Sequence, residues 1–174
     1  MAVVTELVVP SAMETELARL HRAHYRSLVR LASLLVDDLG VCEELVQDAF
    51  VAVLGRRGAL RDPGKLPAYL RSAVLNGART QLRRGRVRER RPGLRVVGEA
   101  PAADIGAVEA DDRRAVLGAL RSLPDRQREV LLLRYYLDLS EPEIAATLGI
   151  APGTVKTHVQ RGMAQLARLL EDRR

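Results

Sequence analysis

The stretch that decides the fold spans residues 139–162, LSEPEIAATLGIAPGTVKTHVQRG, and has the pattern of two helices joined by a tight turn. Ser140 and Glu143 have the spacing of a capping box, which predicts that the first helix begins here. Gly149 suits the left-handed residue that commonly ends a helix, and Pro152 suits the first turn of the next one. The stretch therefore predicts a helix-turn-helix.

The second of these helices has two chemically different sides when its residues are placed about 100° apart. The apolar side carries Val155, Val159, Met163, Leu166 and Leu170. The other side carries Gly153, Thr157, Gln160, Arg161 and Ala164, with Lys156 at the margin. Small, amide and cationic groups on a helix held by its apolar back are typical of a helix that reads a DNA major groove. The alternative is an ordinary helical hairpin with a solvated outer face, but the agreement of turn, caps and polar face favours DNA.

Composition limits what the rest of the chain can be. Its 174 residues suffice for one domain or two small ones, and the net charge of +6 favours a polyanionic partner without specifying it. The single cysteine excludes an internal disulfide and suits the cytoplasm. We find no apolar run long enough to span a bilayer and no signal peptide, so we expect no membrane insertion. Because only 3% of the residues are aromatic, the cores must be aliphatic.

Helical periodicity along the chain predicts an all-α fold of two small helical domains joined by a flexible linker. We expect a loose tail over residues 1–13, a first domain over 14–85, a linker over 86–111 and a second domain over 112–174. The linker is rich in Gly, Pro and Ala and lacks a sustained apolar period. In the second domain Val116, Leu117, Leu120 and Leu123 form one expected stripe, and Tyr135 and Tyr136 are expected at its core and rim.

Two helices of the first domain carry distinctive faces. The inward face predicted for the second helix consists of Leu45, Val46, Ala49, Phe50 and Val53. The third helix, from Pro67 to about Arg84, has a polar face of Tyr69, Ser72, Asn76, Arg79, Thr80 and Arg83. Rings and guanidinium groups stack on unpaired bases, and Arg binds phosphate, so this face is a second candidate DNA surface. An ordinary solvated face fits these residues equally well.

The sequence offers no candidate catalytic machinery. It has no phosphate-binding Walker loop, no nucleophile with a matching base and no cluster of metal ligands. His21, His24 and Cys42 are a weak basis for zinc because no fourth ligand is evident. We therefore expect neither an enzyme nor a protein that holds a metal or cofactor.

Two sequence signatures in this order resemble a known family. The first is Cys42-Glu43-Glu44-Leu45-Val46-Gln47-Asp48-Ala49-Phe50, followed by Pro67-Ala68-Tyr69-Leu70-Arg71-Ser72-Ala73-Val74-Leu75-Asn76; the second is Leu123-Pro124-Asp125-Arg126-Gln127-Arg128-Glu129-Val130, followed by the helix-turn-helix. Together they resemble the extracytoplasmic-function (ECF) sigma factors of bacterial RNA polymerase, of the actinobacterial SigE-like type. Region 2 of that family is similar to residues 17–84, and region 4 is similar to residues 114–169.

The resemblance implies an alternative sigma factor that binds core RNA polymerase and directs initiation at a defined set of promoters. It implies docking on the clamp helices of the largest subunit through Glu44, Leu45, Gln47, Asp48 and Phe50, of which Leu45 and Phe50 are better suited to the core. It implies contact with the −10 element through Lys65, Tyr69, Ser72, Asn76, Arg79 and Arg83. It implies reading of the −35 element through Gly153, Thr154, Lys156, Thr157, Gln160 and Arg161.

Further partners also follow from the resemblance. They are the flap of the second-largest subunit and an anti-sigma factor, with the protein cytoplasmic and nucleoid-associated when it is in holoenzyme. Two alternatives stay open: a stand-alone helix-turn-helix regulator of the repressor or response-regulator type, and a protein-interaction module. The chain departs from the family pattern at Ala151, where Ser is usual, because Ala caps a helix poorly.

Overall fold

The computed structural model describes residues 12–55, 62–89 and 107–172, and these residues contain helices and no strand. The first module comprises α1 (Ala12–Ser33), α2 (Leu39–Gly55), a short 3-10 turn (Pro63–Lys65) and α3 (Leu66–Glu89). The second module comprises α4 (Ala107–Ser122), α5 (Asp125–Leu131), a π-helical turn (Leu132–Tyr136), α6 (Glu141–Leu148) and α7 (Pro152–Glu171). The predicted all-α class is confirmed.

The helices next to the predicted linker are longer than the sequence suggested. We expected α3 to end near Arg84 and the second domain to begin at Asp112, whereas α3 continues to Glu89 and α4 begins at Ala107. The added helical residues, 85–89 and 107–111, are mostly good helix formers, notably Arg, Glu and Ala. The two helices therefore extend beyond the part of the chain with an apolar pattern. Residues 90–106, and most of the predicted tail, lie outside the described part of the chain.

The first module packs three helices around an aliphatic core. The five residues predicted to face inward on α2 are all buried, which confirms that prediction. All of them except Leu45 share one cluster with residues of α1 and α3 such as Leu20, Leu70 and Val74. Gly77 allows α3 to approach α2 closely, because a Cβ atom there would lie 2.6 Å from Cδ2 of Leu45.

The second module departs from the predicted apolar stripes at its π-helical turn. The N–H of Leu137 donates to the carbonyl oxygen of Leu132 over 3.2 Å, a bond between residues five apart. Such a turn places the following side chains at other angles than an α-helix would. Tyr135 is 63% exposed, so its expected place in the core was wrong, whereas Tyr136, at 39% exposed, fits the expected rim.

Two other predicted apolar positions are also exposed. Val116 is 39% exposed, because α4 buries the neighbouring small residue Ala119 instead. Met163 is 42% exposed, because α7 meets α5 at Gly162. A Cβ atom at Gly162 would lie 3.1 Å from Cδ1 of Leu131, so a larger residue there would push the two helices apart.

The two modules share a second buried cluster. Leu75 and Ala78 of α3 lie in it together with Val130 of α5, Leu133 of the π-helical turn and Ile144 of α6. All five side chains are at most 1% exposed. The modules are therefore held against each other by apolar packing, which removes this face of α3 from water.

The helix-turn-helix has the predicted caps. The backbone N–H and the hydroxyl of Ser140 both donate to the carboxylate of Glu143, over 2.9 Å and 2.6 Å. Gly149 ends α6 in the left-handed conformation, with φ of 65°. Ala151 has the extended conformation of an N-cap, and it provides no side-chain hydrogen bond to α7.

Replacing Ala151 by Ser is therefore expected to stabilise the second module. The backbone at this position already suits a cap, and a serine oxygen can accept a hydrogen bond from an N–H of the first turn of α7. We expect Ala151→Ser to raise the free energy of unfolding by about 0.5–2 kcal/mol, as measured by urea titration. The control is Ala164→Ser, the same change at an exposed position inside α7. Equal effects of the two substitutions would contradict the capping explanation.

Candidate nucleic-acid interface

α7 presents the predicted −35 set to solvent. Its inner side is held by Val155, which is fully buried, and by the close approach at Gly162. The six predicted residues Gly153, Thr154, Lys156, Thr157, Gln160 and Arg161 are all exposed. The helix thus offers two cations, an amide and two hydroxyl groups on one accessible surface, anchored by packing on the opposite side.

The hydroxyl of Thr157 donates to the backbone carbonyl of Gly153 over 3.1 Å. This bond fixes the side chain against the first turn and leaves the hydroxyl oxygen able to accept. Lys156 and Arg161 lie on the same exposed surface of the helix. Because the N-terminal end of a helix carries a partial positive charge, this end of α7 favours an anionic partner.

The polar face of α3 is less uniform than the sequence suggested. Asn76 and Arg83 are exposed and Tyr69 is 43% exposed, whereas Ser72 is half-buried. Lys65 is exposed just before α3 begins, and its ammonium group lies 3.8 Å from Oδ2 of Asp62.

Arg79, predicted to face DNA, instead contacts the second module. Its Nε and Nη2 donate to Oε1 of Glu129 in α5, over 3.0 Å and 2.5 Å. Its Nη1 donates to Oδ1 of Asn76 over 3.0 Å. Three of its five N–H groups are therefore engaged within the protein.

The predicted polymerase-binding set on α2 divides by burial. Glu44, Gln47 and Asp48 are exposed, as a docking surface requires. Leu45 and Phe50 are only 8% and 7% exposed. These two side chains hold α2 on the core, so they position the exposed residues and do not themselves present a surface.

Sequence reasoning missed the buried charges of α5. Glu129 and Arg128 are each 2% exposed, although they stand next to the predicted apolar residue Val130. Arg128 donates to Oδ1 of Asp125 and to the carbonyl oxygen of Arg121, which ties α5 to the end of α4. Their polar identity gave no signal for burial, because part of what satisfies them lies outside α5: Arg79 of α3 for Glu129, and the carbonyl oxygen of Arg121 for Arg128.

Two further polar contacts join the modules. Nε of Arg71 in α3 donates to the hydroxyl of Thr147 in α6 over 3.2 Å. Arg121 of α4 forms an ion pair with Asp37, which lies between α1 and α2. The interface therefore combines an apolar cluster with three arginine contacts, since the Arg79–Glu129 pair belongs to it as well.

A small cavity of about 110 Å³ lies at the same interface. It is lined on the first module by His24, Leu70 and Arg71 among others, and on the second by Leu137 and Leu139. Burial lowers the pKa of His24, and the positive charges of Arg71 and Arg19 lower it further. Each of these causes disfavours the imidazolium form at this interface.

His21 and Cys42, two of the three residues that gave a weak basis for zinc, have other contacts. The ring of His21 lies 4.6 Å from that of Tyr25 and 4.9 Å from that of Phe50, measured between centroids. The thiol of Cys42 donates to the carbonyl oxygen of Val36, and burial raises its pKa to about 11. A thiol in this environment is a poor nucleophile and a poor metal ligand. Among the described residues there is no group of three or more His, Cys, Asp or Glu side chains placed to hold a metal.

Comparison with known proteins agrees with this architecture. A family model described as Sigma-70 region 2 matches residues 20–88, and one described as Sigma-70, region 4 matches residues 113–166. The RNA polymerase sigma-E factor of Streptomyces avermitilis is 34% identical over 152 residues, covering 87% of this chain and 83% of that protein. The ECF RNA polymerase sigma factor SigM of Mycobacterium tuberculosis is 33% identical, covering 87% of this chain and 76% of that protein.

Two solved structures share the fold. The sigma factor RpoE of Bartonella quintana, in complex with the anti-sigma factor NepR, superposes with a TM-score of 0.71 at 26% identity, covering 92% of this chain and 99% of that one. CnrH, in complex with the cytosolic domain of CnrY, superposes with a TM-score of 0.68 at 25% identity, covering 90% of this chain and 88% of that one.

The two matched regions and the helix-turn-helix define a transcription initiation factor of the sigma-70 class. More narrowly, the chain belongs to the ECF RNA polymerase sigma factors, as its similarity to the Streptomyces sigma-E factors and to SigM establishes. It is an alternative sigma factor that directs transcription initiation, and it is not an enzyme. Its family works with core RNA polymerase and promoter DNA. None of the helices in the described ranges is long and apolar enough to cross a membrane.

Acidification is expected to destabilise the fold through His24. Its pKa in the folded protein lies below the ordinary value of about 6.5, so the unfolded chain binds a proton first as the pH falls. The free energy of unfolding should therefore decline as the pH falls through about 6.5, and the decline should end once the pH lies below the pKa of His24 in the folded protein. Urea titrations between pH 7.5 and 5.5 measure this, and His24→Asn should reduce the slope. An unchanged slope in the variant would exclude His24 as its source.

Proposed function

We propose that three separate surfaces carry out the sigma function. The exposed face of α7 reads the −35 element, the polar face of α3 with Lys65 contacts the melted −10 element, and the exposed face of α2 docks on core polymerase. The observation that carries the proposal is the surface of α7, where all six predicted residues are exposed while Val155 and Gly162 anchor the opposite side. A helix held in this way can enter a major groove without losing its own packing.

For the −35 element, the side chains of α7 supply both kinds of contact that duplex recognition needs. Lys156 and Arg161 can hydrogen-bond guanine edges or phosphate, and Gln160 can pair with an adenine edge. Gly153 and Thr154 lie in the first turn. The backbone N–H of Thr154 donates to the carbonyl oxygen of Ala151 over 2.9 Å, so we assign a phosphate contact to the N–H of Gly153 and a polar contact to the side-chain hydroxyl of Thr154. We assign the base contacts to Lys156, Gln160 and Arg161.

For the −10 element, Tyr69 offers the main stacking surface. It is 43% exposed at the start of α3, and Lys65 stands exposed one turn before it. Asn76 and Arg83 extend the same surface, with an amide for base edges and a guanidinium for phosphate. Ser72 is half-buried and has a smaller part, whereas Arg79 reaches DNA only after leaving Glu129.

For polymerase, the exposed residues Glu44, Gln47 and Asp48 form an acidic strip on α2 that suits the clamp helices of the largest subunit. Leu45 and Phe50 support this strip from the core. The second module meets the flap of the second-largest subunit. In the cell we place the protein in the cytoplasm, associated with the nucleoid when it is part of holoenzyme.

The connection between the modules restricts their separation. Promoter elements about 17 base pairs apart lie roughly 58 Å from each other at about 3.4 Å per base pair. The 17 residues from 90 to 106 can reach at most about 60 Å. We therefore expect the packed modules to separate when both surfaces engage their elements, and we assign to the polymerase the task of holding them apart.

An anti-sigma factor is a further proposed partner. RpoE and CnrH were each solved with a partner described as an anti-sigma factor or as the cytosolic domain of CnrY, and both share the fold over most of this chain. A protein that bound across the two modules would cover the surfaces proposed for polymerase and promoter.

The proposed function is tested by run-off transcription with purified core polymerase, this chain and genomic promoter fragments. We expect transcripts from a small set of templates that core polymerase alone does not use. Binding to palindromic DNA as a dimer, without any polymerase-dependent transcript, would favour a stand-alone regulator instead.

Removing a cation from α7 is expected to weaken promoter binding. Lys156→Ala and Arg161→Ala should each cost about 1–3 kcal/mol of binding, measured with holoenzyme on a promoter found by the run-off assay. The matched control is Arg168→Ala, an exposed arginine farther along the same helix. Losses equal to that of the control would contradict the assigned recognition face.

Reversing the charge of the acidic strip is expected to weaken assembly with polymerase. Glu44→Lys combined with Asp48→Lys should lower the affinity for core polymerase at least about tenfold, because the paired charges across the interface become repulsive. The control is Glu171→Lys with Asp172→Lys, the same charge change on exposed residues at the end of α7. Circular dichroism checks that the fold is intact, and normal assembly of the α2 variant would refute this docking surface.

A further inference from the structure

Glu129 is a buried carboxylate that two arginines share, one from each module. Oε1 accepts from Nε and Nη2 of Arg79 on α3, and Oε2 accepts from Nη1 of Arg126 over 3.3 Å. The side chain of Glu129 is 2% exposed, while those of Arg79 and Arg126 are 32% and 42% exposed. Each oxygen of the carboxylate thus has its own cationic partner.

The two partners differ in what happens when the modules separate. Arg126 lies one turn before Glu129 on α5 and remains beside it. Arg79 departs with α3, together with Leu75 and Ala78, which share the buried cluster with Val130. Separation therefore gives Glu129 access to water while one cation stays in place. This lowers the penalty of an uncompensated buried charge, so the pair can break without unfolding the second module.

Among the described residues of its own module, Arg79 has no such second partner of opposite charge. Its other hydrogen bond goes to the amide of Asn76, which is neutral. After separation its guanidinium lies on the same polar face as Asn76 and Arg83, the face proposed for the −10 element. A phosphate group, like a carboxylate, offers two oxygens that can accept parallel hydrogen bonds from a guanidinium.

We propose that Glu129 competes with promoter DNA for Arg79, and so holds the unbound protein in the closed arrangement. The inference rests on the proposed role of the α3 face. In the closed form the guanidinium binds the carboxylate across the module interface; in the open form it binds a backbone phosphate. The contacts of Arg71 with Thr147 and of Arg121 with Asp37 strengthen closure, but neither involves a residue assigned to DNA.

Competition has a consequence that simple interface packing lacks. Glu129→Gln and Arg79→Ala break the same ion pair, so both should open the modules. They should change DNA affinity in opposite directions, because the first variant releases Arg79 for DNA and the second removes it. If the ion pair only stabilised the closed arrangement, the two substitutions would change DNA affinity in the same direction.

The test uses the full chain with dyes at two exposed positions, Val51→Cys in α2 and Gln165→Cys in α7, in a Cys42→Ala background. Energy transfer between the dyes reports closure. Fluorescence anisotropy with a single-stranded 12-mer of thymidine as the probe reports DNA affinity. The matched control is Glu141→Gln, which neutralises an exposed acid of the same module.

We expect Glu129→Gln to lower energy transfer and to tighten probe binding, by a factor limited to the reciprocal of the open fraction in the parent chain. We expect Arg79→Ala to lower energy transfer as well, but to weaken probe binding and to reduce the slope of log affinity against log salt by about 1. In the parent chain the probe itself should lower energy transfer, because coupling between two equilibria is reciprocal. This last measurement needs no substitution at Glu129.

Unchanged energy transfer in the parent chain on adding probe, together with unchanged transfer in Glu129→Gln, would overturn the competition. A drop in energy transfer in both variants with no change of probe affinity in Arg79→Ala would instead show that Arg79 does not bind DNA. That second result would refute the proposed role of Arg79, while the energy-transfer measurement would still establish that the ion pair closes the molecule.

Discussion

The apolar contact of α3 with the second module, chiefly with α6, is the constraint on which the arrangement of this sigma factor depends. Leu75 and Ala78 lie in one buried cluster with Val130 and Ile144 of the second module, and first-module residues such as Leu45 belong to it as well. An aliphatic cluster of this kind contributes on the order of 25 cal/mol per Å² of apolar surface removed from water. This contact removes one face of α3 from water, and the surface proposed for the −10 element begins at the edge of that face.

Because the modules share this buried surface, the accessibility of the proposed DNA surfaces depends on whether the modules are packed together. The recognition helix α7 is fully presented in the closed form, whereas part of the polar face of α3 is engaged with α5. The two surfaces proposed for nucleic acid therefore differ in accessibility while the modules are packed. The surface on α7 is exposed, and in our proposal the surface on α3 becomes complete when the modules separate. Such a difference suits a factor that must not act on DNA without its polymerase.

Much of the fold could be predicted from the sequence, because helical periodicity and capping chemistry indicated the same helices and buried faces that the structure shows. The helical periodicity of apolar residues on α2 predicted its buried residues correctly, since a helix packed on one side must place its apolar residues on that side. The caps at Ser140 and Gly149 likewise follow from local backbone chemistry. The exposed set on α7 could be predicted for the same reason. These features depend on residues within one or two turns of each other.

The features that could not be predicted depend on distant partners or on irregular backbone. Glu129 is buried because Arg79, 50 positions earlier in the chain, supplies its counter-charge. Tyr135 is exposed because the chain forms a π-helical turn, and periodicity assumes a regular helix. Met163 is exposed because Gly162 determines where α7 meets α5. The family resemblance assigned roles to residues such as Arg79 but carried no information on their partners in the closed form.

The most direct measurement of the central claim is the distance between spin labels on α3 and α7, in the unbound protein and in a transcriptionally active holoenzyme on its promoter. We expect one short distance in the unbound protein and a shift to roughly 58 Å in the promoter complex, the span of the two elements. An active complex that kept the short distance would contradict the account, because both surfaces would then work with the modules still packed together.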